Sequence, residues 1–231
     1  MMRTHQYVWL LFFGLLAACA PTAVPSPSPT AETPRLDTPL LVTATAVPLP
    51  TPNAAENDLI ILPLSLYILD DAGGEMTSSR DEAELRQIVE RANEIWGQAN
   101  IRLEIQTIQR LTVPDDVMAQ VAARNFGPFF AAANRDLGIE NPALLNGFYA
   151  QNVGGVNGVA PNNTRTFFVT DQPSVHDERV TSHEIGHILG LHHVLTDSNR
   201  LLFSGTNGME LSPEEIVVAR YNAQGILDGL R

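Results

Sequence analysis

The sequence has no lysine, so its 14 basic residues are all arginines, and 26 acidic residues give a net charge of −12. It also has no run of basic residues. This argues against nucleic acids and anionic lipid surfaces as partners, because both attract positively charged proteins. The only cysteine is Cys19, which excludes an intramolecular disulfide. A hydrophobic content of 44% over 231 residues is enough for one sizeable core.

The N-terminus lacks an apolar run long enough to span a bilayer. Arg3 precedes a short apolar stretch at 8–18, which is the length of a signal-peptide core. The residues that end this stretch, 16–19, are Leu-Ala-Ala-Cys and resemble the lipobox of bacterial lipoproteins. The resemblance implies that 1–18 is a signal peptide and that Cys19 is lipidated. The chain would then be exported and anchored at the outer face of the cytoplasmic membrane or in the cell envelope. The alternative is an ordinary signal peptide with an incidental cysteine.

Residues 19–57 are predicted to form a stalk rather than part of the fold. Residues 21–53 are rich in Pro, Thr, Ala and Ser, and frequent proline removes backbone donors. In polyproline geometry, at about 3.1 Å per residue, this segment could extend roughly 100 Å from a membrane. The stalk is either a spacer through the cell envelope or a merely tolerated unstructured segment.

One α/β domain is predicted over 58–231, in which strands alternate with helices, among them a long backing helix after the first strand and a C-terminal helix. Apolar runs and alternation predict strands, whereas apolar spacing of three to four predicts helices. Capping boxes at Ser79 and Ser212 mark the starts of the backing and C-terminal helices. The predicted strands are 59–69, 101–111, 143–150 and 165–171, and the predicted helices run from Ser79 to about Gln98, over 115–137 with an interruption at 127–128, over 175–190 and over about 213–224.

Four of the six histidines lie in the segment 181–195, TSHEIGHILGLHHVL. His183 and His187 are four residues apart on a predicted helix, so their imidazoles project from one face and can reach one metal ion. Glu184 lies beside that face and is suited to act on a water molecule. Gly190 can end the helix in a left-handed conformation, after which His193 can turn back towards the ion. His192 is not needed for this arrangement and is expected at the rim of the site or in contact with one of the ligands.

The pattern H-E-x-x-H-x-x-G-x-x-H resembles the zinc-binding consensus of the metzincin metallopeptidases at every fixed position. The resemblance implies one catalytic Zn²⁺ bound by His183, His187 and His193, with Glu184 as general base. It also implies a zincin-like α+β fold with a twisted mixed sheet, a long backing helix, an active-site helix and a C-terminal helix. The predicted order of elements from residue 58 onwards agrees with this fold. The function expected is that of a zinc endopeptidase that hydrolyses extracellular proteins or peptides through a zinc-polarised water.

The methionine that metzincins place in a turn beneath the histidines is missing at its usual spacing. Leu202 falls near that position, and Met209 lies seven residues further on. Either Leu202 replaces the methionine, a swap of similar volume, or a longer turn brings in Met209. Leu202 is the preferred interpretation, because Ser212 already begins the next helix. The departure leaves open a zinc-binding surface protein with little or no peptidase turnover. A zinc hydrolase of non-peptide amides is a further alternative.

The Gly- and Asn-rich segment before the last predicted strand is a second candidate for function. By the same resemblance, Asn157 and Gly158 would belong to an edge strand that pairs with an extended peptide substrate. They are equally interpreted as a plain turn. Asp-rich turns such as Asp70-Asp71, and Asp197, are of a kind that binds structural Ca²⁺, but they are equally typical of solvated loops. A protein or peptide substrate, a lipid anchor and a monomeric state are expected.

Overall fold

The structure is a computed structural model that describes residues 58–135 and 144–229. All of these residues fall within the compact unit Pro50–Arg231. The predicted signal peptide over 1–18 and the whole of the predicted stalk over 19–57, with Cys19, lie outside the described residues. Within the described residues, none of the helices is long and apolar enough to cross a membrane.

The core of the fold is a five-stranded mixed sheet in the order β2-β1-β3-β5-β4. The first four of these pair in parallel, and β4 pairs antiparallel with β5 at one edge. The prediction of a twisted mixed sheet is therefore confirmed. The strands are β1 (Ile60–Asp71), β2 (Ile101–Val113), β3 (Leu145–Ala150), β4 (Gly158–Val159) and β5 (Thr166–Thr170).

Helices cover both faces of this sheet. Alternate residues of β1 point to opposite faces, as in any strand. Leu62 and Leu64 pack in the cluster that also contains apolar residues of the helices α1, α4 and α5, whereas Tyr67 and Leu69 pack in the cluster with α2 and α3. The helices are α1 (Glu82–Trp96), α2 (Asp115–Ala122), α3 (Gly127–Arg135), α4 (Asp177–Ile188) and α5 (Pro213–Leu227), with a 3₁₀ helix at Gly97–Ala99.

The capping box predicted at Ser79 is wrong, whereas the one at Ser212 is confirmed. Helix α1 is capped by Asp81, whose side chain accepts a hydrogen bond from the Glu84 backbone N–H. Ser79 does not cap the helix because its backbone N–H and hydroxyl both donate to Asp171. In α5, Ser212 and Glu215 make the reciprocal pair of bonds that defines the motif.

Candidate metal centre

Helix α4 presents the first two histidines from one face. His183 is buried and His187 is half-buried. Their Nε2 atoms are 3.2 Å apart. The helix itself is built from local signals, with Asp177 and Glu178 in its first turn, where acidic side chains favour the helix dipole. The spacing of four residues therefore brings the two imidazoles together on one face of the helix, as predicted from the sequence.

Gly190 ends α4 and turns the chain back. It has φ +81°, in the left-handed region. Its N–H donates to the carbonyl of His187, and the N–H of Leu191 donates to the carbonyl of Gly186. This pair of bonds is the Schellman motif, in which a left-handed glycine satisfies the last helical carbonyls. The turn carries His193 to the two helical histidines, and the prediction for the glycine is confirmed.

The three Nε2 atoms form a nearly regular triangle. Each pair among His183, His187 and His193 is separated by 3.2 Å. Nitrogens bound tetrahedrally to zinc at about 2.0–2.1 Å would lie about 3.3 Å apart. In the described part of the chain, these three residues are the only group of three or more side chains arranged to hold a metal.

Backbone carbonyls fix the orientation of two of these rings. His183 Nδ1 donates to the carbonyl of Leu201 at 2.8 Å, and His187 Nδ1 donates to that of Leu191 at 3.0 Å. A neutral imidazole carries one proton, so a proton on Nδ1 leaves the lone pair of Nε2 free. The lone pairs of both rings then face a common point. Such an arrangement fits a cation, and hydrogen bonding between the two rings cannot account for it.

Burial keeps the imidazoles of His183 and His187 neutral. It lowers the pKa of His183 to about 3, against the opposing effect of the Leu201 carbonyl, and it also lowers the pKa of His187. Neutral imidazole is the form that binds a metal ion. His192 is exposed and lies outside the triangle, although it lines the same cleft.

Glu184 is buried beside the triangle, beneath strand β4. A Cβ placed on Gly158 would lie 2.8 Å from Glu184 Cγ, so the glycine provides the space for this side chain. Burial raises the pKa of Glu184 to about 8, whereas the positive charge of Arg179 and a hydrogen bond from the backbone N–H of Ala160 oppose this rise. A divalent cation held by the histidines would further favour the carboxylate.

The turn beneath the histidines places Leu202, rather than Met209, against the active-site helix. Leu202 is fully buried, and its side chain would lie 3.1 Å from a Cβ placed on Gly186. The backbone N–H of Val194 donates to the Leu202 carbonyl, which ties the turn to the residue after His193. Met209 is half-buried, and its carbonyl accepts a hydrogen bond from Gln98, beyond the end of α1.

Two residues that support the site, Arg179 and Asn222, could not be identified from the sequence. Arg179 is 3% exposed and donates to the carbonyls of Leu201 and Phe203. Asn222, on α5, is 4% exposed and donates at 2.7 Å to the carbonyl of Leu189, next to Gly190. A polar residue at a buried helical position is the only hint that the sequence offers, and it does not identify a partner.

A cleft of about 600 Å³ opens over the centre and is bordered by 156–160 and by 191–193. Strand β4 forms one edge, and its outer side faces no other strand of the described residues. Asn157 lies at this border, but its side chain is engaged with Ser174, accepting from the backbone N–H at 2.9 Å and donating to the hydroxyl at 3.0 Å. Gly158 therefore provides the space for Glu184. Asn157 links the residue before β4 to Ser174, just before α4 begins.

The acidic turns have protein partners. Asp70 pairs with Arg110 at 2.6 Å, and Asp71 accepts hydrogen bonds from backbone N–H groups at Glu75 and Met76. Asp197 accepts a hydrogen bond from the backbone N–H two residues further on. Asp71 and Asp197 thus order their own loops, whereas Asp70 links β1 to β2.

Comparison by sequence gives one family. Residues 82–194 match the model of the metallopeptidase family M12B, described as reprolysin-like, and this stretch begins at α1 and ends directly after His193. Comparison with curated proteins gives no match.

Comparison by structure gives solved structures with a similar fold. The crystal structure of metalloproteinase-II from Bacteroides fragilis aligns with a TM-score of 0.51 and 15% identity, over 74% of this chain and 55% of that chain. The chain thus spans about half the length of that protein, and the likeness shows a shared fold. Archaemetzincin from Methanopyrus kandleri aligns with a TM-score of 0.47 and 20% identity, over 71% of this chain and 96% of that chain.

Proposed function

We propose that the protein is a zinc endopeptidase of extracellular proteins or peptides, a function that the match of residues 82–194 to the reprolysin-like metallopeptidase family M12B supports. The observation that carries the proposal is the 3.2 Å triangle of Nε2 atoms with Glu184 buried beside it. A metallopeptidase needs a metal held by neutral ligands and an adjacent group that moves a proton. Residues of one helix and of the turn that follows it would provide the metal ligands and this proton-transferring group.

His183, His187 and His193 would hold the ion. Zn²⁺ bound there supplies a Lewis acid that lowers the pKa of water towards about 7 and stabilises charge developing on a substrate carbonyl. The backbone carbonyls that accept from the Nδ1 atoms of His183 and His187 keep both rings in the required tautomer. Soft sulfur ligands are not part of this group, and three imidazoles are a typical set for catalytic zinc.

Glu184 is the proposed general base. Its carboxylate takes a proton from the attacking water and returns it to the leaving amine, so it must be ionised when the substrate arrives. Burial raises the pKa of Glu184 to about 8, whereas the charge of Arg179 and the N–H of Ala160 favour the ionised form, as a bound cation would also do. A Cβ on Gly158 would lie 2.8 Å from Glu184 Cγ and 2.9 Å from Val180 Cγ1, so the glycine packs against both side chains.

An extended peptide is the proposed substrate. Strand β4 lies at the sheet edge, borders the cleft and runs over Glu184, so a peptide added beside it would pass the histidines. Backbone pairing along an edge does not require a free chain end, which supports cleavage within a chain. The apolar and small residues of this border, such as Val156, Val159 and Ala160, would leave specificity to side-chain size.

Metal analysis combined with peptide-library cleavage tests the proposal on the full-length protein. One zinc per chain is expected in wild type and in His192→Ala, and none in His193→Ala. Cleavage should follow the zinc content. One zinc with no cleavage of any peptide would instead indicate a zinc-binding surface protein, and turnover of small amides alone would indicate a hydrolase of non-peptide amides.

We also propose that the protein is an exported lipoprotein anchored through Cys19, and that it acts as a monomer at the outer face of the membrane or in the envelope. The sequence at 1–19 supports the anchor, and the Pro-rich segment supports a spacer. Cys19→Ser should release the protein from the membrane fraction of the expressing bacterium. Retention of this variant in the membrane fraction would contradict the anchor.

A further inference from the structure

Arg179 lies one helical turn before His183 and is almost completely removed from solvent, with 3% of its surface exposed. Its Nη2 donates to the carbonyl of Leu201 at 2.9 Å and also to the carbonyl of Phe203. These two carbonyls stand on either side of Leu202. The guanidinium therefore joins α4 to the turn beneath the three histidines by both ends of that turn.

The carbonyl of Leu201 links Arg179 to the metal centre. It accepts from Arg179 Nη2 at 2.9 Å and from His183 Nδ1 at 2.8 Å. Any movement of this carbonyl would turn the His183 ring and shift its Nε2 within the triangle. Partners of this kind, one bond away from a metal ligand, set the tautomer and direction of the ring.

The charge of Arg179 is costly where it lies, which argues for a specific use. No carboxylate within the described residues comes within ion-pair distance of it, and its Nε is buried without a hydrogen-bond partner. Burying a cation without an ion pair is unfavourable. An apolar side chain of similar length would fill the same space, but it would leave the carbonyls of Leu201 and Phe203 without this donor.

We propose that Arg179 is a positioning residue for the metal centre, acting through the Leu201 carbonyl on His183 and clamping the turn that contains leucine at the position of the metzincin methionine. This inference rests on the proposed function, in which the three histidines bind zinc. Loss of such a partner weakens metal binding by about 10- to 100-fold in other metal sites. The same loss is expected here for Arg179→Met.

The test uses the full-length protein and two readouts. Zinc affinity is measured by competition with a chelator, and the Nδ1–H proton of His183 is followed by NMR in metal-free protein, where its exchange with solvent reports the bond to Leu201. Arg179→Met should weaken zinc binding about 10- to 100-fold and should accelerate exchange of that proton. Arg179→Lys keeps the charge without the planar fork, so it should fold and show a smaller loss of affinity.

Arg200→Met is the matched control. Arg200 lies in the same connection, where it donates to the Glu210 carbonyl and pairs with Glu215 of α5, with no contact to His183. It should lower thermal stability and leave zinc affinity and the His183 proton unchanged. Equal weakening of zinc binding by both substitutions would overturn the inference, because the effect would then be general loosening of the loop.

The two proposals fail in different ways. If wild type binds no zinc, the proposed function fails, while the His183 proton of metal-free protein still reports on Arg179. If Arg179→Met, or Arg179→Lys where the methionine variant does not fold, keeps wild-type zinc affinity and a wild-type His183 signal, the positioning role is overturned.

Discussion

Glu184 packs directly against the Cα of Gly158, so that a Cβ on this glycine would come within 2.8 Å of Glu184 Cγ and 2.9 Å of its Oε1. The two residues are 26 positions apart and come together because β4 runs over α4. The glycine thus gives the buried carboxylate its place between the edge strand and the histidines. This contact explains why the proposed substrate-pairing segment has a glycine at position 158.

Gly158→Ala should therefore impair turnover rather than metal binding. The added methyl group would push Glu184 aside, and a displacement of about 1 Å of a reacting group costs about 100-fold in rate. Steady-state peptide cleavage should show the loss in kcat, with the zinc content unchanged. Gly97→Ala is the control, because an added Cβ there meets no atom within 4 Å. A zinc-loaded Gly158→Ala enzyme with normal kcat would show that the added methyl group does not displace Glu184.

Substitutions at Leu202 and Met209 decide which residue serves as the floor of the metal centre. Leu202→Met conserves volume and should cost under about 1.5 kcal/mol, whereas Leu202→Ala should cost about 2–5 kcal/mol. Leu202→Ala should also weaken zinc binding, since the neighbouring Leu201 carbonyl orients His183. Denaturant unfolding and chelator competition measure the two effects. Weaker zinc binding in Met209→Ala, with none in Leu202→Ala, would assign the turn to Met209.

The loop after β1 should make acid stability depend on Asp71. Burial by itself raises the pKa of Asp71. Hydrogen bonds from the Met76 and Glu75 backbone N–H groups and from the Thr77 hydroxyl lower it by more, so that the pKa lies below its usual value. This stabilisation is complete above the unfolded-state pKa of about 3.9 and is lost as the pH falls through the lower folded-state pKa.

Asp71→Asn should therefore be less stable than wild type at pH 6, and the difference should shrink below about pH 4. Unfolding of both proteins over this range measures it, with the exposed Glu90→Gln as a control. A difference that stays constant down to pH 2 would mean that the loop does not depend on the charge of Asp71.

Local signals were sufficient for much of the metal centre. A spacing of four on a helix brings His183 and His187 together, and a left-handed glycine ends that helix and delivers His193. These features depend on residues within a few positions of one another. The order of the other strands and of the helices also follows from apolar periodicity, with boundaries that differ by a few residues from the predicted ones, whereas the two-residue strand β4 has no such signal.

Contacts between distant parts of the chain could not be predicted in this way. The false capping box at Ser79 arose because Asp171, 92 positions away, takes both donors of that residue. The bonds of Arg179 to the turn and the packing of Gly158 on Glu184 are likewise products of the folded chain. A sequence pattern states that a residue is polar or small, but the partner that makes it necessary is set by topology.

Glu184 is proposed as the base of a zinc peptidase, and this role is tested most directly by comparing wild type with Glu184→Gln at equal zinc content. The amide keeps the size of the side chain but accepts no proton at neutral pH. Since a positioned base contributes about 10²- to 10⁴-fold, cleavage of a peptide library should fall by that factor while one zinc per chain is retained. Equal cleavage by both proteins would contradict the role of Glu184 as the base, and no cleavage by zinc-loaded wild type would contradict the peptidase function.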